Sequence, residues 1–112
     1  MSDFAQLWVD AWNNHDVEAV LAHFHEDVVF TSPVAARVVP ASGGQVRGKP
    51  ALRDYWTRAL AQLPDLHFEI VGVYRGVSTV VINYRNHRGQ LVNEVLIFDG
   101  DLVREGHGTY LE

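Results

Sequence analysis

A change in hydrophobic period near Pro64 is the feature that most constrains this chain. Before Pro64 three segments have apolar residues at the spacing of amphipathic helices. From Leu66 to Tyr110 they alternate with polar residues, which is the spacing of half-buried strands. When helices precede an antiparallel sheet in the chain, they pack on one face of that sheet. The sequence therefore predicts an α+β fold. Its 112 residues predict one domain, 1–112, with one core.

Three helices are predicted before the sheet. The first has Ser2 as its N-cap, and the second is capped by Asp16 and ends near His25. The third has Pro50 in its first turn, where the missing N–H costs nothing. Two apolar stripes face the core: Phe4, Leu7, Trp8, Ala11 and Trp12 on the first helix, with Leu52, Tyr55, Trp56, Ala59, Leu60 and Leu63 on the third. The second helix presents Val17, Val20, Leu21 and Phe24.

The strands are bounded by glycine and proline. Val28–Phe30 predicts a short strand that ends before Pro33, because proline cannot donate to a strand ladder. Residues 33–48 are irregular and long enough to predict a lid. Up to four strands follow, at about 66–74, 79–87, 91–98 and 102–110, and the Asp99-Gly100 pair predicts a hairpin between the last two.

Composition excludes several classes of protein. A net charge of −5 with scattered Arg and Lys lacks the basic footprint of a nucleic-acid binder. No apolar run approaches the roughly 20 residues of a membrane span, and the amino terminus does not read as a signal peptide, so we expect a cytoplasmic protein. The absence of cysteine excludes disulfides and thiolate metal sites. From the charge and the lack of a long apolar run, we predict neither nucleic-acid nor membrane partners.

Four segments together resemble a known family. They are AWNNHDVEAVLAHFHEDVVFTSP, GKPALRDYW, PDLHFEI and FDGDLVREGHGTY, and their order and spacing cover nearly the whole chain. In these segments the chain resembles the SnoaL-like branch of the nuclear transport factor 2-like superfamily. That resemblance implies a cone-shaped fold, with three N-terminal helices packed on a curved, mainly antiparallel sheet around a pocket. The superfamily includes ketosteroid isomerase, scytalone dehydratase, limonene epoxide hydrolase, SnoaL-type polyketide cyclases and non-enzymatic modules.

The resemblance transfers only part of the ketosteroid isomerase site. The general base of that enzyme is an aspartate just before the proline that ends the first strand, where this chain has Ser32. A serine without an adjacent base cannot remove a carbon-bound proton. The isomerase's helix-one tyrosine falls near Trp8, and its protonated pocket acid falls on Glu94. True ketosteroid isomerase chemistry is therefore not expected.

Glu94 and His107 are the predicted catalytic residues. Strand alternation places Glu94 on one face with Val92 and Leu96, where burial would raise its pKa and suit it to acid–base work. The alternative is a carboxylate at the rim, paired with Arg85 or Arg104. His107 follows from the late-strand polar residues that SnoaL-like cyclases use, since an imidazole acts as base or donor near neutral pH.

The alternative for His107 is an exposed or hydrogen-bonded imidazole. Residues 23–27 include two histidines and two acidic residues, which are side chains that can bind a metal ion. His23 and His25 lie two residues apart and so point to different sides of the helix, which favours a solvated helix end. We predict no metal and no cofactor. The predicted ligand-binding residues are Trp8, Trp12, Phe30, Ser32, Tyr55, Trp56, Tyr84, Asn86 and Phe98. The aromatic side chains among them either line an apolar cavity or fill it.

Two hypotheses of function follow. The first is a SnoaL-like protein that binds a small hydrophobic or polycyclic molecule and carries out cofactor-free cyclisation, isomerisation or hydration. In that case Glu94 and His107 exchange a proton with the substrate, while Tyr84, Asn86 or the Trp8 N–H holds a carbonyl oxygen. The second is a non-catalytic ligand-binding or dimerisation module. The other sheet face, which the helices leave open, predicts a homodimer through the sheet, as is common in the family. Its outward residues are Asn93, Val95 and Ile97 beside Val81 and Asn83.

Overall fold

The computed structural model describes residues 3–112. Within that range the helices are α1 Phe4–Asn13, α2 Val17–Leu21, α3 Pro33–Val38 and α4 Lys49–Gln62, with one 3₁₀ turn at Pro40–Ser42. The strands are β1 Phe24–Thr31, β2 Gln45–Arg47, β3 Glu69–Arg75, β4 Thr79–Arg85, β5 Leu91–Asp99 and β6 Leu102–Tyr110. The predicted N-cap Ser2 lies outside the described residues.

All six strands form one curved sheet in the order β2-β1-β6-β5-β4-β3. Every neighbouring pair is antiparallel except β1 and β6, which run parallel. The register shifts within three of these pairs, and such irregularities bend a strand and increase its twist. The α+β cone-shaped fold with a mainly antiparallel sheet is therefore confirmed.

The helices cover one face of the sheet, called the inner face here, and the opposite face is called the outer face. On β4 the inner face carries Val80, Ile82 and Tyr84, all buried, and β5 adds the equally buried Val92 and Leu96. Gly106 of β6 also faces inward. A Cβ there would lie only 3.0 Å from the Phe30 ring, so the close packing of that ring requires glycine.

Both long helices bury most of the stripes that the sequence predicted, although Leu60 and Leu63 are only partly buried. Leu52, Tyr55, Trp56 and Ala59 of α4 are buried, but Leu7 of α1 is 52% exposed. The buried face of α1 is rotated toward Ala5 and Val9. Its aromatic residues were predicted correctly, because their spacing alone determines which side of the helix they share.

The region after α2 departs most from the sequence prediction. Helix α2 ends at Leu21 and not near His25, and Phe24 opens an eight-residue strand in place of the short strand predicted at Val28–Phe30. The predicted cap is confirmed, because the Asp16 carboxylate accepts a hydrogen bond from the Ala19 N–H at 3.1 Å. Pairing of β1 with β6 overrides the weak helical period of this segment.

Residues 33–48, predicted to be irregular, contain α3, the 3₁₀ turn and β2. Backbone hydrogen bonds from Ser32 to Gly44 and from Gly48 to Val28 fix this segment against β1. Its role as a lid stays a prediction. Strand β3 begins at Glu69, later than the sequence predicted. Strand β6 and the hairpin at Asp99-Gly100 match the prediction. No helix within residues 3–112 is long and apolar enough to cross a membrane.

Candidate functional site

A cavity of about 260 Å³ lies between the inner face of the sheet and the helices. Eight of the nine predicted ligand-binding residues line it: Trp8, Trp12, Phe30, Ser32, Tyr55, Trp56, Tyr84 and Asn86. The exposed residues Arg37, Arg88 and Gln90 line it as well, so the cavity reaches the protein surface. The helices supply its apolar wall, and the ends of β4, β5 and β6 supply most of its polar groups.

Phe98 was predicted as a ligand-binding residue, but it does not line this cavity. It shares the inner face with Glu94, but four residues of extended strand separate them by roughly 13 Å. At that end of β5 the Phe98 ring packs edge-on against Phe4, with the ring centroids 5.1 Å apart. Alternation predicts the face of a residue correctly, but it does not predict how far along the cone the residue lies.

The aromatic residues pack against one another and line the cavity at the same time. Phe68 and Tyr84 have ring centroids 4.3 Å apart, and Trp8 stacks on Phe68 at 5.7 Å. Trp12 meets Trp56 edge-on at 5.0 Å. Because each ring is held by its neighbours, the apolar wall is preformed. The Trp12 Nε1–H is buried and has no hydrogen-bond partner among residues 3–112.

Glu94 is the acid in this apolar environment. It is 6% exposed, and one of its carboxyl oxygens, Oε1, accepts a hydrogen bond from the Tyr84 hydroxyl at 3.2 Å. The alternative of a rim carboxylate paired with arginine is wrong. Arg85 donates instead to the Gly89 carbonyl, and Arg104 lies 3.6 Å from Glu105.

Burial raises the pKa of Glu94 to about 7, while the hydrogen bond from Tyr84 acts in the opposite direction. The low dielectric of the cavity disfavours the charged carboxylate, and no cation compensates for it closely enough to reverse that effect. A group with this pKa is present in both protonation states near neutral pH. Glu94 can therefore accept or donate a proton under ordinary conditions.

Three tyrosines surround this carboxyl group as neutral hydroxyls. Burial raises the pKa of Tyr84 well above its usual value, and the charge of Glu94 raises it further. Burial likewise raises the pKa of Tyr55 and of Tyr110, and Glu94 contributes to both shifts. These phenols therefore keep their protons at neutral pH. Tyr84 uses its proton to bond Glu94, and Tyr55 and Tyr110 are each hydrogen-bonded with Ser32.

Ser32 occupies the end of β1, but it works as a structural cap. Its hydroxyl oxygen accepts a hydrogen bond from the Val34 N–H at 3.1 Å, at the start of α3. A Cβ on Gly108 would lie 3.3 Å from the Ser32 hydroxyl oxygen and 3.7 Å from Oε1 of Glu94. The glycine therefore leaves room for both polar groups to border the same patch of backbone.

His107 faces away from the cavity, so the predicted pairing of His107 with Glu94 at one site is wrong. On β6 it lies opposite Val95, on the outer face, whereas Glu94 lies opposite the inward-facing Gly108. The irregularity in the β5–β6 register lets Val103 face inward, while Glu105 and His107 face outward. The alternation that the sequence predicted for β6 is broken at this point.

The alternative for His107, a hydrogen-bonded imidazole, is correct. Its Nδ1 lies 2.6 Å from the Thr31 hydroxyl, and its Nε2 lies 2.9 Å from a Glu105 carboxylate oxygen. The tautomer with a proton on Nε2 satisfies both contacts, because the carboxylate accepts from Nε2 and the hydroxyl donates to Nδ1. These three side chains link β1 and β6 on the outer face.

Asn86 lines the cavity, but its amide is engaged in the turn between β4 and β5. Its Oδ1 accepts the backbone N–H groups of Arg88 and Gln90, both at 3.0 Å. Its Nδ2 donates to the Gln90 side chain at 2.9 Å. The prediction that Asn86 holds a ligand directly is therefore weakened, and its visible role is to shape the cavity mouth.

Comparison with known proteins adds a family to this geometry. The SnoaL-like domain family matches residues 5–104. The chain belongs to the SnoaL-like family. A SnoaL-like protein of unknown function from Burkholderia thailandensis E264 is similar at 37% identity and a TM-score of 0.91, over 99% of this chain and 93% of the other. No curated protein sequence matches the chain.

More distant structures share the fold of this SnoaL-like protein. One is a protein with a ketosteroid isomerase-like fold from Catenulispora acidiphila DSM 44928 in complex with trimethylamine, at 19% identity and a TM-score of 0.75, over 95% of this chain and 83% of the other. Another is TerC co-crystallised with polyporic acid, at 13% identity and a TM-score of 0.79, over 96% of this chain and 88% of the other. At these identities the likeness is one of fold.

Several residues of this SnoaL-like site were not predicted from the sequence. Tyr110, Arg37, His87 and Arg88 all line the cavity. Tyr110 belongs to the inner face of β6, but the break in alternation concealed it. The other three lie on α3 and on the turn after β4, two segments that are far apart in the sequence and meet only in the folded chain. Within residues 3–112, His, Asp and Glu side chains form no group of three or more that could hold a metal ion.

Proposed function

We propose that this SnoaL-like protein binds a small, mainly apolar cyclic molecule in the cone cavity and catalyses a cofactor-free proton transfer on it. The observation that carries the proposal is a buried carboxyl group, Glu94, whose pKa of about 7 lies near physiological pH. General acid–base catalysis is most effective when the catalytic pKa is close to the working pH. The cavity volume of about 260 Å³ lies just below the usual range for ligand sites, which suits a mono- or bicyclic compound.

The proposed chemistry is proton abstraction next to a carbonyl group. The Glu94 carboxylate takes a proton from the carbon, the electron pair moves to the carbonyl oxygen, and an enolate forms. Once Glu94 is protonated, the Tyr84 hydroxyl no longer serves a carboxylate and turns to donate a hydrogen bond to that oxygen. In a ligand whose carbon–carbon double bond is conjugated with the enolate, the protonated Glu94 returns its proton to the far carbon of that system. The double bond shifts, and the isomerisation is balanced without any further reactant.

The distant relatives support binding of a small organic molecule by this fold. TerC was co-crystallised with polyporic acid, and the Catenulispora acidiphila protein is in complex with trimethylamine. The preformed aromatic wall around Trp8, Trp12 and Trp56 offers a ring-shaped ligand flat apolar surfaces. We assign this role to the cavity as a whole and the proton transfer to Glu94 alone.

The test is a turnover screen with cyclic ketones, epoxides and polyketide-like compounds near neutral pH. Glu94→Gln keeps the size of the side chain but cannot take a proton, so we expect the rate on any substrate found to fall by a factor of about 10² to 10⁴. Glu69→Gln, an identical substitution at an exposed position, is the control and should retain the rate. Unchanged turnover by the Glu94 variant would remove Glu94 as the acid–base residue.

A second function has its own support. Ser32 stands where ketosteroid isomerases carry their base, and its hydroxyl caps α3 instead, while His107 faces away from the cavity. Glu94 consequently works without the predicted partner. A non-catalytic ligand-binding module is therefore the alternative. Ligand binding that is equal in the wild type and in Glu94→Gln, with no turnover by either, would favour it.

We also propose a homodimer formed through the outer face of the sheet. Val81, Val95 and Ile97 lie side by side on that face and are only partly buried. Tyr74 of β3 continues the same surface and is 65% exposed. An antiparallel sheet with helices on one side offers its other face to solvent or to a partner, and the apolar character of this patch favours a second copy.

A further inference from the structure

Two arginines at the cavity mouth have no charge partner. Arg37 on α3 and Arg88 in the turn after β4 both line the cavity and are exposed. Within residues 3–112 neither side chain forms an ion pair, whereas Arg53, Arg58 and Arg104 each lie within 4 Å of a carboxylate. In a chain with more acidic than basic residues, two uncompensated cations at the same opening form a local positive site.

A third polar group lies beside these arginines. His87 lines the cavity, and its Nδ1 is buried without a hydrogen-bond partner in the part of the chain that the structure describes. This nitrogen is closed off from solvent, so a ligand atom reaches it only when the imidazole turns toward the cavity. That bond would then recover the cost of leaving a buried polar atom without a partner. Asn86 accepts hydrogen bonds from the backbone N–H groups of Arg88 and Gln90, which fixes the backbone of the turn that carries His87 and Arg88.

The charged residues that line the cavity change from basic at the mouth to acidic inside. Among the described residues that line it, Glu94 is the sole carboxylate, and it is almost fully buried. Arg37 also acts on the interior, where its charge opposes the effect of burial on the pKa of Tyr55 and of Tyr110. An anion is therefore attracted to the mouth, while an ionised Glu94 repels it from the interior.

We propose that the ligand of this cavity is a mono- or bicyclic carboxylate, held by its carboxylate at Arg37, Arg88 and His87, with its ring against the aromatic wall. This inference rests on the proposed function of the cavity and adds the class and orientation of its ligand. Arginine pairs readily with a carboxylate, because its N–H groups match the two oxygens. The carboxylate fixes one end of the molecule at the mouth, so the opposite end of the ring is the part presented to Glu94.

The test compares two ligands of nearly the same shape, 2-naphthoate and its uncharged amide, 2-naphthamide. Binding is measured by calorimetry at low salt for the wild-type protein and for Arg37→Gln, Arg88→Gln and Arg58→Gln. Arg58 is exposed on α4, outside the cavity lining, so its variant is a control with the same change in net charge. Quenching of tryptophan fluorescence is a second readout, because all three tryptophans line the cavity.

We expect the wild type to bind 2-naphthoate about tenfold more tightly than 2-naphthamide, since charge-assisted hydrogen bonds are stronger than neutral ones. That preference should fall to about threefold or less in Arg37→Gln and Arg88→Gln and persist in Arg58→Gln. The affinity for 2-naphthamide should stay the same in all four proteins. Added salt should weaken binding of the carboxylate only, because the arginines are exposed.

Two results would overturn the proposal in different ways. Equal affinity for the two ligands, or a preference that survives both cavity-mouth substitutions, removes the carboxylate site but leaves the cavity as the binding site for a neutral ring. Failure of both ligands to bind the wild-type protein, with no change in fluorescence, contradicts the proposed function of the cavity together with this inference. Circular dichroism of each variant confirms that the proteins compared are folded.

Discussion

Glu94 combines two properties that ordinarily exclude each other in a protein interior. Its carboxyl group is buried, yet its hydrogen-bond partner is a neutral phenol and not a cation. Taking a carboxylate out of water is costly unless it is paired, so the group responds by shifting its pKa upward. The same environment that weakens the fold at high pH therefore gives the residue a proton affinity suited to catalysis near neutral pH.

Glu94→Gln should stabilise the folded protein at high pH. The unfolded chain releases this proton near pH 4.5 and the folded chain near pH 7, so the wild-type free energy of unfolding falls as pH rises between those values. Above pH 7 the full penalty applies, on the order of 3 kcal/mol. Urea denaturation at about pH 4, 6 and 8 should show a gain for the variant at pH 8 and little gain at pH 4.

The control for that measurement is Glu69→Gln, because Glu69 is exposed. Its difference from the wild type should not depend on pH in the same range. If Glu94→Gln and the wild type show parallel stability curves from pH 4 to 8, Glu94 does not have a raised pKa in the folded state.

Tyr84→Phe should raise the pKa of Glu94 further, above about 7. The Tyr84 hydroxyl donates to the carboxyl oxygen and so favours the charged form, and phenylalanine removes that donor while keeping the ring. A carbon-13 NMR titration of the Glu94 carboxyl group measures the shift directly. Tyr74→Phe, at an exposed tyrosine on the outer face, should leave this titration unchanged, and an unchanged titration in Tyr84→Phe would contradict the role of the hydroxyl.

At the scale of elements, one asparagine ties the end of α1 to the segment that leads into β3. Asn13 Nδ2 donates to the Phe68 carbonyl at 2.9 Å, and Asn13 Oδ1 accepts the Phe68 N–H at 2.8 Å. His15 adds a contact between its Nε2 and the Leu66 carbonyl at 2.9 Å. Phe68 belongs to the aromatic wall of the cavity, so this link fixes one side of the site.

Asn13→Ala should destabilise the protein by about 1 to 3 kcal/mol, because it leaves both backbone groups of Phe68 without their partners. Asn14→Ala makes the same substitution at the next residue, whose side chain is exposed, and should cost much less. Urea denaturation followed by tryptophan fluorescence measures both variants. A cost for Asn13→Ala no greater than that for Asn14→Ala would show that the link does not contribute.

At the scale of the whole molecule, the curved sheet separates two environments. Its inner face holds the core and the cavity, and its outer face carries partly exposed apolar residues beside the hydrogen-bonded group of Thr31, Glu105 and His107. The one parallel pair among residues 3–112, β1 with β6, brings the first strand next to the last and places Ser32 near Glu94. The proposed dimer interface and the proposed ligand site therefore lie on opposite faces of the sheet.

The proposed dimer predicts that Val95→Glu makes the protein a monomer. A charge introduced at the centre of the outer face would have to be buried without a partner in the dimer. Light scattering coupled to size exclusion at tens of micromolar should give twice the monomer mass for the wild type. Val77→Glu, at a fully exposed turn residue, should keep that mass. A monomeric wild type or a dimeric Val95→Glu would refute the proposed interface.

The sequence by itself determined the fold class, the helix stripes and the long strands. It also determined that Glu94 shares a buried face of its strand with Val92 and Leu96. These follow from local rules, because residues at helical spacing share a side and alternate residues of a strand share a face. Most of the aromatic lining was predictable for the same reason. The resemblance to the SnoaL-like family, carried by whole segments, supplied the cone that these elements build.

The tertiary structure alone decided which of these residues meet. A register shift in β6 moved His107 to the outer face and Tyr110 to the cavity, and distance along β5 took Phe98 away from Glu94. Residues from Phe24 onward form strand β1 and do not extend α2, because β6 pairs with them. The two arginines at the cavity mouth come from α3 and from the turn after β4. Segments so far apart in the sequence give no local signal that they meet.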